Sequence, residues 1–231
     1  MAGRAVAPTD HPRDAAPARR RHAIRSRRGI LIYPPSEYSP LSIESGGVDE
    51  FATFFGALRS RWVKMEFLQE YDESGFEGYE AFRAGRFDDA ARLVQEMVKG
   101  QTEVYAHARK HDVDMIRIRV CELPLSPYLL HYEIPAYLAD IECGEQIRFI
   151  DVDDVRDILD ETGVSDYVVF DDSRVTALIY DPRNARLKEA RLVDSPPLLR
   201  AYIEVTEELI RRSTPMLESP IFLEVKHRYP L

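Results

Sequence analysis

Three features of the sequence predict an α+β fold, with N-terminal helices packed on a mostly antiparallel sheet and a C-terminal helix. Apolar stripes of helical period dominate before residue 110, alternating runs dominate after Met115, and short polar turns separate the late runs. A last helical stripe then follows a Ser-Pro-Pro entrance at Ser195.

Residues 29–47 carry three prolines and end in Gly46-Gly47, the composition of an extended linker rather than of an element. Asp49 can cap a helix whose Phe51, Phe54, Phe55, Leu58 and Trp62 form one apolar face. The run from Val63 to Tyr71 alternates imperfectly, with Val63, Met65 and Phe67 against Lys64, Glu66 and Gln69, and is expected as a strand. A short helix with Tyr79 and Phe82 should end at Gly85, and a longer one should run from Phe87 to about Lys110 with a break near Gly100.

Met115 to Cys121 alternates most clearly, with Ile116, Ile118 and Val120 on one side and Met115, Arg117, Arg119 and Cys121 on the other. Ser126-Pro127 then reads as a helix entrance, because serine can accept a free backbone N–H and proline lacks one to satisfy. The helix should bend or stop near Pro135 and close at Gly144. A strand at residues 145–152, an acidic helix ending at Gly163, and an antiparallel meander over residues 166–193 complete the order before the last helix, which Pro215 terminates. The expected organisation is a disordered Arg/Pro-rich stretch over 1–47, one α+β domain over 48–218 and a docked or loose tail over 219–231.

The charge is uneven. Residues 1–28 hold eight Arg against Asp10 and Asp14, whereas the remainder holds 23 Lys and Arg against 38 Asp and Glu, a net charge of −15. An acidic body repels polyphosphate, so nucleic acid is a weak expectation confined to the Arg-rich stretch. The apolar runs are too short to span a bilayer, no secretory apolar region precedes the fold, and Cys121 and Cys143 are too few for a disulfide framework, all of which fits a cytoplasmic protein without membrane contact.

Phosphate-cradling Gly-rich loops, a GxSxG elbow, HExxH and paired CxxC motifs are absent from the sequence, and no cofactor or metal is expected. Asp151, Asp153, Asp154 and Asp157 lack the Gly and terminal Glu of a calcium loop and suit a helix start; His107 and His111 lack a third ligand nearby. The best constellation lies at the strand-to-helix corner. α-Helical spacing from Pro127 places Tyr128, His131 and Tyr132 on one face; His131 could serve as a base oriented by Glu122 or Glu133, and Arg119 could hold an anion. The competing reading makes Arg119 and Glu122 an ion pair, buries Tyr128 and leaves His131 to solvent. Arg119, Glu122, Tyr128, His131 and Glu133 are therefore the candidate catalytic residues.

The order of Arg119-Val120, the turn from Leu123 to Tyr128, the strand from Gly144 to Arg148 and the strand from Asp166 to Asp171 resembles an uncharacterised actinobacterial domain-of-unknown-function family, over about residues 48–218. Members of that family are often encoded beside small helix-turn-helix regulators, so the resemblance implies a cytoplasmic regulatory or accessory interaction module with such a regulator or another cytosolic protein as partner. The alternative is an enzyme acting on a small anionic substrate through the Arg119 to Glu133 corner.

Overall fold

A computed structural model describes residues 38–41 and 48–229. In chain order it contains β1 (Ser39–Pro40), α1 (Val48–Ala57), β2 (Arg61–Glu66), α2 (Glu77–Arg83), α3 (Phe87–Gly100), α4 (Thr102–His111) and β3 (Asp114–Cys121). A π-helical turn (Leu129–Glu133) leads into α5 (Ile134–Cys143), followed by β4 (Gln146–Asp151), α6 (Arg156–Thr162) and the strands β5 (Tyr167–Phe170), β6 (Arg174–Tyr180) and β7 (Leu187–Leu192). The chain closes with α7 (Pro196–Arg212), β8 (Thr214–Pro215) and α8 (Pro220–Val225).

The strands form one eight-stranded sheet in the order β1-β7-β6-β5-β2-β3-β4-β8. Most pairings are antiparallel, as expected, but β2, β3 and β4 run parallel at its centre. Parallel neighbours require crossover connections, and here α2–α4 and then α5 supply them. Helices consequently cover both faces of the central strands, a burial that short alternating runs do not announce.

On one face Val63, Met65, Ile118, Val120, Val169 and Val175 meet α6 and α7 in an apolar layer. Each such side chain contributes about 1.5–3 kcal/mol through removal from water. The other face is covered by α1 to α5, where Trp62, Val94, Tyr105, Tyr132 and Phe170 belong to a second core. Toward the β4 edge a third core joins Cys121, Leu129, Tyr137 and Phe149 to Met216, Ile221 and Phe222, so the C-terminal segment is docked. Burial pushes the Cys121 thiol up to about 12.

Several boundaries differ from expectation for identifiable reasons. Trp62 belongs to β2 rather than to the first helix, because α1 stops at Ala57 and Asp171, reaching over from the β5–β6 hairpin, accepts the backbone N–H groups of Arg59, Ser60 and Arg61. Those bonds outweigh burial and hold the Asp171 carboxyl below the ordinary aspartate range. The side chains of Asp49 and Phe51 lie outside the described residues, as do 1–37 and 42–47, including the Arg-rich stretch. Within the expected linker, Tyr38 is buried beside Tyr202 and β1 pairs with β7. The break near Gly100 is present, between α3 and α4.

Candidate functional site

β2 and β3 place Lys64, Glu66, Arg117 and Arg119 on the face covered by α1 to α5, in register across the parallel pair. Strand alternation sends every second residue to this face, so the charge pattern of the two strands becomes one contiguous cluster. Glu66 is its centre: Lys64 Nζ lies 2.6 Å from Oε1, Arg117 Nη1 donates to Oε1 at 3.2 Å, and Tyr137 Oη donates to Oε2 at 2.6 Å. Burial alone would raise the Glu66 carboxyl, but Lys64, Arg119 and Arg117 overcome it and hold the group far below the ordinary glutamate range.

Arg117 Nε also donates to Glu145 Oε1 at 2.7 Å, and its Nη2 lies 3.9 Å from Asp140 Oδ2. Asp140 in turn accepts from Tyr105 Oη at 2.6 Å. Burial outweighs the Arg117 charge at Glu145 and raises its carboxyl.

Arg119 is fully enclosed. Its Nε donates to Tyr137 Oη at 2.8 Å, and its Nη1 donates to the Leu68 carbonyl and, at 3.3 Å, to Tyr71 Oη. Nη2 lies 3.3 Å from Glu66 Oε2 and 3.6 Å from Glu133 Oε2, ionic contacts without hydrogen-bond geometry. Tyr71 passes its own hydroxyl hydrogen to Asp166 Oδ2, while Asp166 Oδ1 accepts the Phe67 N–H at 3.0 Å. Burial raises the Asp166 carboxyl to about 6 despite these bonds.

The expected corner is therefore only partly assembled. Arg119, Tyr128 and Glu133 come together: Tyr128 Oη is hydrogen-bonded to Glu133 Oε1 and lies 2.9 Å from Glu73 Oε1. Glu122 is exposed and contributes its backbone N–H to Gln69 Oε1, so Arg119 pairs with Glu66 and Glu133 rather than with Glu122. His131 points out of the cluster and stacks on Phe87 with ring centroids 4.0 Å apart. Burial, then the nearby Arg228 charge, lowers its pKa.

The π-turn explains this division. Regular α-helical spacing puts residues three and four apart on one face, which would align Tyr128, His131 and Tyr132. A π-turn widens the repeat toward five residues, bringing Tyr128 beside Glu133 and rotating His131 outward. Pro135 contributes: it has no N–H for the carbonyl four residues back, so a widened turn lets the helix continue where a break is expected. Ser126 Oγ caps the entrance by accepting the Leu129 N–H at 3.2 Å.

On its outer side the same helix lines a surface groove of about 660 Å³ with α3 and the C-terminal segment. Phe87, Leu130, His131, Leu138, Leu217 and Tyr229 form its apolar part. Elsewhere, His107 and His111 stand 4.5 Å apart by ring centroids, Asp151 caps the Asp153 N–H, and Asp157 pairs with Arg212. Among the described residues no group of three or more His, Cys, Asp or Glu is arranged to hold a metal ion, and no helix is long and apolar enough to cross a membrane.

Glu66, Tyr71, Glu73, Arg117, Tyr137, Asp140, Glu145 and Asp166 are absent from the sequence-derived candidates, although they form most of the cluster. The available signal was the polar half of the alternation in β2 and β3. A polar alternation usually marks a solvent face, but here both faces are covered.

Comparison with known proteins adds little chemistry. No curated protein matches the chain. Among solved structures, a phospholipase D family member, Nuc from Salmonella typhimurium, is similar at 10% identity over 77% of this chain and 95% of that one, with a TM-score of 0.43. TrmBL2, an archaeal chromatin protein whose structure shows a mode of DNA binding, is similar at 10% identity over 73% of this chain and 50% of that one, with a TM-score of 0.35. Neither likeness reaches the level of a shared fold. Residues 49–218 match the domain of unknown function DUF6879, and the chain belongs to that family.

Proposed function

We propose that the protein is a cytoplasmic accessory or regulatory interaction module that docks a basic, amphipathic protein segment in the groove between α3, α5 and the C-terminal segment. The observation that carries this reading is the internal use of the polar corner. Arg119 meets Glu66 and Glu133, Arg117 meets Glu66, Glu145 and Asp140, and Glu73 and Asp166 add further carboxyls around only three cationic side chains. Such an excess of acid disfavours a small anionic substrate there.

The groove offers the complementary surface. Its exposed Phe87 and Leu217 provide apolar anchors; the charges lining it, Asp88 and Glu142 against Arg92 and Arg228, cancel, so the preference for a basic occupant rests on long-range steering by the net charge of −15 over residues 29–231. A helix-turn-helix regulator presenting such a segment is the partner class the reading favours. His131 belongs to this surface through its stack on Phe87.

The test is affinity capture by the full chain at physiological salt, with Phe87→Asp and His131→Ala variants in parallel. A stoichiometric basic partner is expected with the unmodified chain, with retention reduced by at least about tenfold for Phe87→Asp and less for His131→Ala. Absence of a partner, or equal retention by Phe87→Asp, overturns the reading.

A further inference from the structure

Residues 67–76 connect β2 to α2 without regular structure and pass over the Arg119 cluster. The first half is tied down at several points: Phe67 N–H donates to Asp166, Gln69 Nε2 donates to the Val120 carbonyl at 2.8 Å, and the Gln69 carbonyl accepts from Ser126 Oγ at 2.7 Å. The second half meets the π-turn through Glu73. Its Oε1 lies 2.9 Å from Tyr128 Oη and its Oε2 accepts from Tyr132 Oη at 2.9 Å.

Tyr128 has more carboxyl oxygens within reach than its hydroxyl can serve. The phenol has one hydroxyl hydrogen, yet its oxygen is within hydrogen-bonding reach of both Glu73 Oε1 and Glu133 Oε1. Two ionised carboxylates are both pure acceptors, so one hydrogen can satisfy only one of them. A second hydrogen must come from a carboxyl group. Glu133 turns its other oxygen to the Arg119 guanidinium at 3.6 Å, whereas the partners of both Glu73 oxygens are phenols, and the proton is therefore placed on Glu73.

We propose that a carboxyl proton held by Glu73 and shared through Tyr128 with Glu133 is a latch that fastens residues 72–76 onto the π-turn, so that the segment is released when the proton is lost. With the proton present, Glu73 Oε1–H donates to Tyr128 Oη and Tyr128 donates onward to Glu133 Oε1. Its removal leaves two carboxylates competing for one hydrogen.

The surroundings support holding the proton. Burial first, and then the Glu133 charge, raises the Glu73 carboxyl above the ordinary glutamate range, against the hydrogen bonds from Tyr128 and Tyr132. Lys64 from β2 is the cation acting against it, Arg119 from β3 approaches through Glu133, and Tyr79 from α2 and Tyr180 from β6 face the same region as neutral phenols. A group so raised contributes stability below its unfolded value and loses it as pH rises through its folded value.

Four amides report the latch, because Asp72, Ser74, Gly75 and Phe76 each donate a hydrogen bond, to Ala185 O, Asp72 Oδ1, Glu80 Oε1 and Glu73 O respectively. Their hydrogen exchange in the full chain, corrected for intrinsic rates, should be followed from about pH 5 to about pH 9. In the unmodified chain it is expected to quicken by at least about tenfold across that range while the β3 amides stay protected. Glu73→Gln should abolish the dependence, because its amide donates to Tyr128 at every pH. Exchange independent of pH, an equal dependence in Glu73→Gln, or simultaneous opening of β3 overturns the proposal.

Discussion

Val63, Met65, Ile118 and Val120 leave β2 and β3 on the side of α6 and α7, while Lys64, Glu66, Arg117 and Arg119 leave the same strands on the side of α1 to α5. Both sets are largely removed from water, yet they are held by different forces. The apolar set gains from burial and packing, and nothing within it titrates. The charged set must offset desolvation with internal partners, and the carboxyls that those partners bring outnumber its three cations, so protons complete the cluster. Two faces of one pair of strands thus respond differently to the same change in solution.

The largest effect expected is from Arg119→Leu, which leaves Glu66 and Glu133 without their shared guanidinium and should destabilise the fold by about 3–5 kcal/mol near neutral pH. Ile118→Ala, at the neighbouring position on the opposite face, should cost about 2–5 kcal/mol by leaving a cavity. Urea unfolding at several pH values separates the two. The Arg119→Leu deficit should shrink in acid as the orphaned carboxyls take up protons, whereas the Ile118→Ala deficit should remain constant; equal pH dependence would remove the contrast.

Asp166→Asn sharpens the comparison with the opposite sign. The folded carboxyl titrates at about 6 against an ordinary value of 3.8, so the fold binds the proton more tightly than the unfolded chain does. The resulting contribution is complete below about pH 4 and is lost as pH rises through about 6, amounting to about 3 kcal/mol by the linkage relation. Asparagine cannot ionise, keeps an acceptor for the Phe67 N–H, and sets its Nδ2 beside Tyr71 Oη, where the protonated carboxyl also presents a hydrogen. The variant should match the unmodified chain in acid and exceed its stability by up to about 3 kcal/mol above pH 7 or so. A stability loss at that pH would refute this account.

A smaller effect, about 1–3 kcal/mol, is expected from Gly78→Ala. A methyl there would stand 3.1 Å from Tyr132 Cε2, 3.3 Å from the Val94 nitrogen and 3.5 Å from the Ala90 carbonyl oxygen. The substitution presses α2 away from α3 and the π-turn without touching a charge. Its thermal unfolding shift should therefore be the same at pH 5 and pH 8 or thereabouts, unlike that of Asp166→Asn.

Strand and helix identities were largely legible because period and punctuation are local properties. Alternation located β3, Ser126-Pro127 located the entrance to the next helix, and Gly144 and Gly163 closed two helices in left-handed conformations. The parallel pairing of β2 with β3 and β4 was not legible, since it depends on which distant segments meet. The candidate site suffered from the same limit. Arg119, Tyr128 and Glu133 were found because they lie close in sequence, whereas Glu66, Glu73 and Asp166 reach them from distant segments. α-Helical spacing grouped His131 with Tyr128, but a π-turn changes which residues share a face and turns His131 outward, nearer to the competing reading; Pro135 signalled a break without specifying how the helix would absorb it.

The docking of β8 and α8 also bears on how the chain is made. β4 acquires its outer neighbour only when Thr214 and Pro215 arrive, and Tyr137 and Phe149 gain Phe222 as a companion later still. During synthesis on the ribosome, a nascent chain that has reached α7 therefore carries an unpaired strand edge beside uncovered aromatic rings, the combination that recruits chaperones or a second chain. The stretch from 214 to 222 acts as a seal applied only after α7 has been made, and a chain interrupted before it would be prone to association even with its central charge cluster already formed.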